Sequence, residues 1–452
     1  MKRGAPSGGI LHSLRVHAAF RLLMLGTLAA DSAFWMYQVS VGWLAFQMTD
    51  SAAFVGVAGF AGGIPLLLVS LPAGVIIDRF DKRKILLAAQ IGVMLVAATF
   101  AVLVGTGSIG RVQMLALVAT YGTLMAFVFS TRTTMVPSLV DRHNLPNAVA
   151  LNSAAHNSTR VIGPSLAGIL IGVLGVAETF AVAATLQALA LLATMRLPRL
   201  AREATTGGGA LWSGLTVGFR VVAKQRYLTA LIVLALAPAV LVMPYINLMP
   251  VFAREVLDLG SSGLGILLAS TGLGTVAGSL ALARIGPGLT GSRNQIFTAL
   301  IFAACILAFA ASPAVAVAVP LLFMAGAVSS SFFAMNQTAL QLSVEDEVRG
   351  RVLSIYQLTW GALPFGQLLV GILAGRLGPP MALGISCLLA MISILAISYR
   401  FPSLWVRSMR QREPAGSIDP VGAGPGSGGD VRPKQESPVL DDLDADRVAS
   451  SA

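Results

Sequence analysis

Asp31 and Arg160 are where the chemistry of this chain concentrates, because each carries a full charge inside a long apolar run. Charges at such depth are costly in a bilayer and mark ion pairs, proton relays or cargo sites. Asp31 lies fourteen residues past His17 and Arg160 fifteen past Leu145; at 1.5 Å per residue both are about 21 to 22 Å deep. Matching depth predicts an Asp31–Arg160 pair, direct or through one water, that either responds to protonation or substrate binding or serves as a static tie between its two helices. His156, one turn before Arg160, adds a second proton-carrying group. Arg132 sits near the end of its own run, where a long side chain can reach the headgroups. Asp31, Trp35, Gln38 and Gly42 recur at i, i+4, i+7 and i+11 and give one helix a polar and aromatic stripe.

The elements that must position these groups are membrane helices. Of 452 residues, 56% are hydrophobic and 11% charged, against about 25% charged in an ordinary soluble domain. Only helices and closed barrels span a bilayer, and barrel strands alternate over about ten residues. The runs here are continuous and about twice as long, so the fold class is an all-α membrane protein. Twelve runs can be counted, six before residue 198 and six after residue 227. The net charge of +11 does not mark a nucleic-acid binder. Its cations fall in alternate short loops, as cytoplasmic loops require, and place both termini in the cytoplasm. The two cysteines, Cys305 and Cys387, lie inside apolar runs and indicate neither a disulfide framework nor a metal site. No phosphate-binding glycine loop is present, so nucleotide hydrolysis is not indicated. The first run is too long for a cleaved leader and reads as a retained helix.

Between the second and third runs lies G-V-I-I-D-R-F-D-K-R-K-I-L, from Gly74 to Leu86, a charged membrane-surface turn. Farther on, Gly163-Pro-Ser-Leu-Ala-Gly-Ile-Leu is echoed by Gly366-Gln-Leu-Leu-Val-Gly-Ile-Leu, five matches in eight, 203 residues apart. An echo at the same place in both halves points to a duplicated six-helix unit. Pro65, Pro72, Pro137, Pro164, Pro244 and Pro364 are expected to interrupt their helices. The expected parts are a cytoplasmic N-terminus (1–17), a six-helix bundle (18–198), a linker with an amphipathic helix (199–226), a second bundle (227–401) and a disordered cytoplasmic tail (402–452). After Arg410 the tail sets four cations against eight acids.

The G-x-x-x-D-R-x-x-[KR]-R stretch from Gly74 to Arg83 resembles the signature of the major facilitator superfamily. Together with T-R-T-T-M-V-P-S-L-V at Thr131 to Val140, L-P-N-A at Leu145 to Ala148, Gly163 to Gly168 and R-G-R-V-L-S at Arg349 to Ser354, it resembles the enterobactin-exporter and macrolide-efflux branch. Asp81 departs from the general signature, which has a second glycine there.

The resemblance implies the major facilitator fold, two pseudo-symmetric six-helix bundles. It also implies a transporter, not an enzyme, that exports a small and largely apolar drug, siderophore or secreted metabolite by alternating access and proton antiport. It implies a cavity lined by Trp35, Gln38, Tyr121, Tyr245, Asn247, Phe333 and Asn336. A gate would join Gly74, Asp78, Arg79, Lys82 and Arg83 to Arg349, Gly350 and Arg351, and Gly163, Pro164 and Gly168 would form an antiporter-like motif. The expected partners are lipid, a small-molecule cargo and protons, without cofactor, metal or nucleic acid, in a monomer of the bacterial inner membrane. Two other readings are a lipid or lysolipid flippase and a transport-inactive sensor or scaffold.

Overall fold

The computed structural model describes residues 12–141, 143–198, 210–285 and 291–406. Among them the chain is helical throughout, and no strand occurs. Residues 199–209 of the linker and 407–452 of the tail lie outside the described residues; the start of the expected disordered tail is instead a helical turn, Ser403–Val406, tied back by the Trp405 indole N–H donating to the Ser398 hydroxyl at 2.8 Å.

The first half consists of α1 (Ala18–Thr49), α2 (Ala52–Arg79), α3 (Lys82–Gly105), α4 (Arg111–Met135), α5 (Leu145–Val173) and α6 (Val176–Met195). After a linker helix, Ala210–Lys224, come α7 (Arg226–Val256), α8 (Gly260–Ile285), α9 (Ser292–Ala310), α10 (Val315–Leu342), α11 (Asp346–Gly361, resumed as Leu363–Leu377) and α12 (Pro379–Arg400). Local chemistry sets the joints. Asp50 ends α1 in the left-handed region at φ 45, and the Ser51 hydroxyl accepts from the Phe54 N–H to start α2. Asp81, the departure from the superfamily signature, caps α3 by accepting from the Arg83 and Lys84 N–H groups.

Ten of these helices are long and apolar enough to cross a membrane. The other two, α1 and α5, have 32 and 29 residues, ample for a hydrocarbon core of about 30 Å. They fall short in apolarity because they carry Asp31, His156 and Arg160 with several other polar residues. A count of twelve spans therefore includes the two helices that hold the buried chemistry.

Repetition is visible in the packing as well as in the sequence. A methyl group at Gly122 of α4 would lie 2.0 Å from the Gly62 carbonyl of α2, and one at Gly326 of α10 would lie 2.1 Å from the Thr271 carbonyl of α8. Likewise a methyl at Gly168 of α5 would meet the Gly265 Cα of α8 at 2.3 Å, and one at Gly371 of α11 the Gly56 Cα of α2 at 2.6 Å. Gly168 and Gly371 are equivalent positions in the echoed octapeptides. These two contacts join the halves, and only glycine lets the backbones come so close.

The seam is closed at one end. The cross-contacts Gly56·Gly371, Gly63·Pro364, Gly168·Gly265, Gly172·Ser262 and Gly42·Pro250 lie from mid-helix toward the end that carries Asp50 and Leu259. There Arg254 of α7 sits 3.3 Å from Asp50 and against the Phe46 ring. At the opposite end, where the 80–81 turn lies, Phe80 is exposed and Gly350 has open space around it.

Prolines behave in two ways. Pro65, Pro72 and Pro164 remain inside continuous helices, contrary to the expected interruptions, because freed carbonyls in a bundle find local substitutes. Pro137 lies in a 3-10 turn, α7 is interrupted over residues 242–244, which include Pro244, and α11 breaks at Ala362, before Pro364.

Candidate functional site

Asp31 lies between two basic side chains. It is 2% exposed; its Oδ2 accepts from the His156 Nδ1–H at 2.9 Å, and its Oδ1 is 3.7 Å from Arg132 Nη1. Arg132 is 6% exposed, and its guanidinium makes no hydrogen bond among the described residues, so this carboxylate is its counter-charge. His156 is different, because 44% of its side chain is accessible. The arrangement places a proton-carrying ring between open space and a buried acid.

Two expectations fail here. No hydrogen bond or ion pair joins Asp31 to Arg160 among the described residues, and Arg132 does not reach the headgroups. Both outcomes follow from helix geometry. Side chains lean toward the N-terminus of their helix, so Arg132, near the C-terminal end of α4, leans inward along the bundle. On α1 and α5, which run parallel, residue 31 meets 156 and residue 35 meets 160, one turn away from the pairing that depth counting gives. Gly163 lets the two helices close up here: a methyl there would lie 2.6 Å from Trp35 Cβ and 3.1 Å from the Ser32 carbonyl.

Arg160 is held by aromatic faces. Its guanidinium carbon is 5.6 Å from the centre of the Trp35 ring and 5.0 Å from that of Trp360, one indole from each half. Trp360 in turn packs on Phe333 at 4.7 Å. Sequence reasoning missed both Arg132 and Trp360. The Thr-Arg-Thr-Thr run at 131–134 was a usable signal for Arg132, and nothing local singled out Trp360.

The expected cavity residues divide. Trp35 and Phe333 are half-buried and Gln38 is exposed. Tyr121 is buried, stacked on Tyr37 at 3.6 Å, and with Phe34, Gln38, Gly62 and Leu66 lines a recess holding little more than a water molecule. Tyr245 is buried against Phe302, and Asn247 donates to the Val55 carbonyl across the seam. Asn336 does not line a cavity. It is fully buried; its amide nitrogen donates to the Leu231 carbonyl at 3.0 Å and to Gln295 Oε1 at 3.2 Å inside the second half, while its Oδ1 has no partner among the described residues.

Of the expected gate, Arg79 and Arg351 are exposed and Gly74 and Lys82 half-buried. Arg83 donates to the Thr194 and Met195 carbonyls at the C-terminus of α6, where a cation is favoured. The side chains of Asp78 and Arg349 lie outside the described residues. In the helix 5 motif, Pro164 is buried and Gly168 makes the seam contact with Gly265.

Several known proteins share this architecture. The chain is 25% identical to the staphyloferrin A transporter of Staphylococcus aureus over 76% of its own length and 86% of the relative's. It is 25% identical to the multidrug efflux pump Tap of Mycolicibacterium fortuitum over 79% and 89%, respectively. The enterobactin exporter EntS of Shigella flexneri is also 25% identical, over 76% of this chain and 81% of that one. The crystal structure of a bacterial homologue of the human lysosomal transporter Spinster, inward-facing and unoccupied, superposes with a TM-score of 0.67 at 13% identity, covering 85% of this chain and 98% of that one. The family model for transmembrane secretion effectors matches residues 11–415. The chain is a multi-pass membrane protein that belongs to the transmembrane secretion effector family of the major facilitator superfamily.

Proposed function

We propose that the protein is a secondary transporter that exports small amphipathic molecules from the bacterial cytoplasm by alternating access, in exchange for protons, with Asp31 as the proton-accepting group. The observation that carries this reading is the buried Asp31 carboxylate between Arg132 and the half-exposed His156. A proton arriving at His156 passes to Asp31 and cancels the charge that compensates Arg132. Leaving a buried charge without its partner costs about 3–5 kcal/mol. Swinging a two-state equilibrium from 1:99 to 99:1 takes about 5.5 kcal/mol, so one proton moves the balance most of the way.

The end bearing the 80–81 turn is taken as cytoplasmic from its cations. The seam contacts then seal the periplasmic side, and the open end is where cargo loads. In the opposite state Gly74, Asp78, Arg79 and Lys82 would meet Arg349, Gly350 and Arg351 and close the cytoplasmic side. Relatives named for staphyloferrin A, enterobactin and drugs support siderophores and drug-like molecules as cargo. One chain supplies both halves of the pathway, which is consistent with a monomer in the inner membrane.

The test is a proteoliposome assay with an imposed pH gradient and a panel of dyes, macrolides and siderophores, comparing wild type with Asp31→Asn. The expected result is gradient-driven movement that the variant loses. Movement indifferent to the gradient would remove proton exchange, and coupling intact in the variant would remove Asp31.

A further inference from the structure

Arg160 makes no contact with Asp31 and has no acidic partner among the described residues. Among the described residues its contacts are the two indoles, and the phenols of Tyr245 and Tyr356 lie within electrostatic reach from the second half. The membrane interior of the first half thus holds two arginines against one carboxylate, and Arg132 already has that carboxylate at 3.7 Å. A guanidinium carries five N–H donors in a planar fork suited to carboxylate and other oxyanions. At Arg160 the fork is half-buried and not one of these donors is used among the described residues. A second donor beside it is idle too, since the Trp35 indole N–H is buried without an acceptor. Aromatic faces stabilise a cation but accept no conventional hydrogen bond, so this place has donors, positive charge and apolar walls, and lacks an acceptor.

We propose that Arg160 is the anion-recognition group of the cargo site, binding a carboxylate or similar oxyanion of an amphipathic molecule whose apolar part packs on Trp35 and Trp360. This names the cargo class for the export reading and rests on that reading for its role in transport, but not for binding. The indoles belong to opposite halves, so an anion on Arg160 is held where both bundles touch it. Neutralising this cation also removes the charge that opposes occlusion of the site in a dry interior.

Binding tests this without any gradient. Full-length protein in detergent is dialysed to equilibrium against 2-naphthoate, 2-naphthamide and 2-naphthylmethylammonium, with empty micelles as reference. Wild type should bind the naphthoate at least about tenfold more tightly than the amide, the scale of a hydrogen bond to a charged group. Arg160→Gln should erase that preference and leave amide binding in place, and Arg160→Lys should keep most of it. Equal binding of the three probes by wild type, or a preference that survives Arg160→Gln, would overturn the proposal. If Arg160→Gln does not fold, a diazirine-bearing naphthoate on wild type decides the matter. Labelling of peptides containing Trp35 or Trp360 supports the site, and labelling confined elsewhere rejects it. Loss of proton exchange with anion preference retained would remove the export mechanism and leave this site standing. Gradient-driven export of neutral dyes without anion preference would do the reverse.

Discussion

Arg132 in α4 and Asn336 in α10 occupy equivalent places, each ten residues beyond the close-contact glycine of its helix (122 to 132, 326 to 336). In the first half the place holds a cation facing a carboxylate and a histidine. In the second it holds an amide bonded to a carbonyl and another amide. Both devices tie buried helices together, and only the charged one can respond to a proton. The difference teaches that two copies of one scaffold can fill the same place with different chemistry, a charged cluster in one and a neutral hydrogen-bonded amide in the other.

The strongest way to break this contrast is Asp31→Asn, which strands Arg132. It should cost about 3–5 kcal/mol of stability, read as a fall in Tm in detergent, together with loss of gradient-driven export. Copying the second half into the first, by combining Asp31→Asn with Arg132→Asn, should recover more than half of that stability and leave export uncoupled. If the double variant were no more stable than the single one, the stranded charge would not be the cause. In the other half, Asn336→Leu takes the donor away from the Leu231 carbonyl and should cost about 1–3 kcal/mol; the pH dependence of export should not change. An altered pH profile there would contradict the assignment of the proton response to the charged copy. The smallest effect belongs to Arg254→Gln, since the Asp50–Arg254 pair at the seam end is largely exposed and is worth about 1 kcal/mol or less. A larger shift, measured as a change in distance between labels at that end, would make it a true latch.

The parts of the architecture set by composition and repetition were legible in the chain. Apolar run lengths gave the succession of helices, and the echo between Gly163 and Gly366 pointed to a duplicated unit; that Gly168 and Gly371 make equivalent seam contacts came from the packing. The site was legible as residue types but not as partners. Depth counting along separate helices cannot register one against another, and an error of one turn exchanged Arg160 for His156 opposite Asp31. The lean of helical side chains, which carries Arg132 inward, was available from elementary geometry and points the same way. Asn336 misled because a polar residue on a helix expected to line a cavity looks the same whether it faces the cavity or a neighbouring carbonyl. Trp360 was invisible because its meaning lies in the opposite half.

The twin contacts Gly168·Gly265 and Gly56·Gly371 also supply the molecule with an internal gauge. They sit at equivalent points of the two repeats, so reporters placed beside each should record equal displacements if the bundles turn as rigid bodies. A difference between the two readings isolates bending within a bundle. It does so inside one molecule, free of errors in calibration, and the breaks in α7 and α11 are where that bending would first be sought.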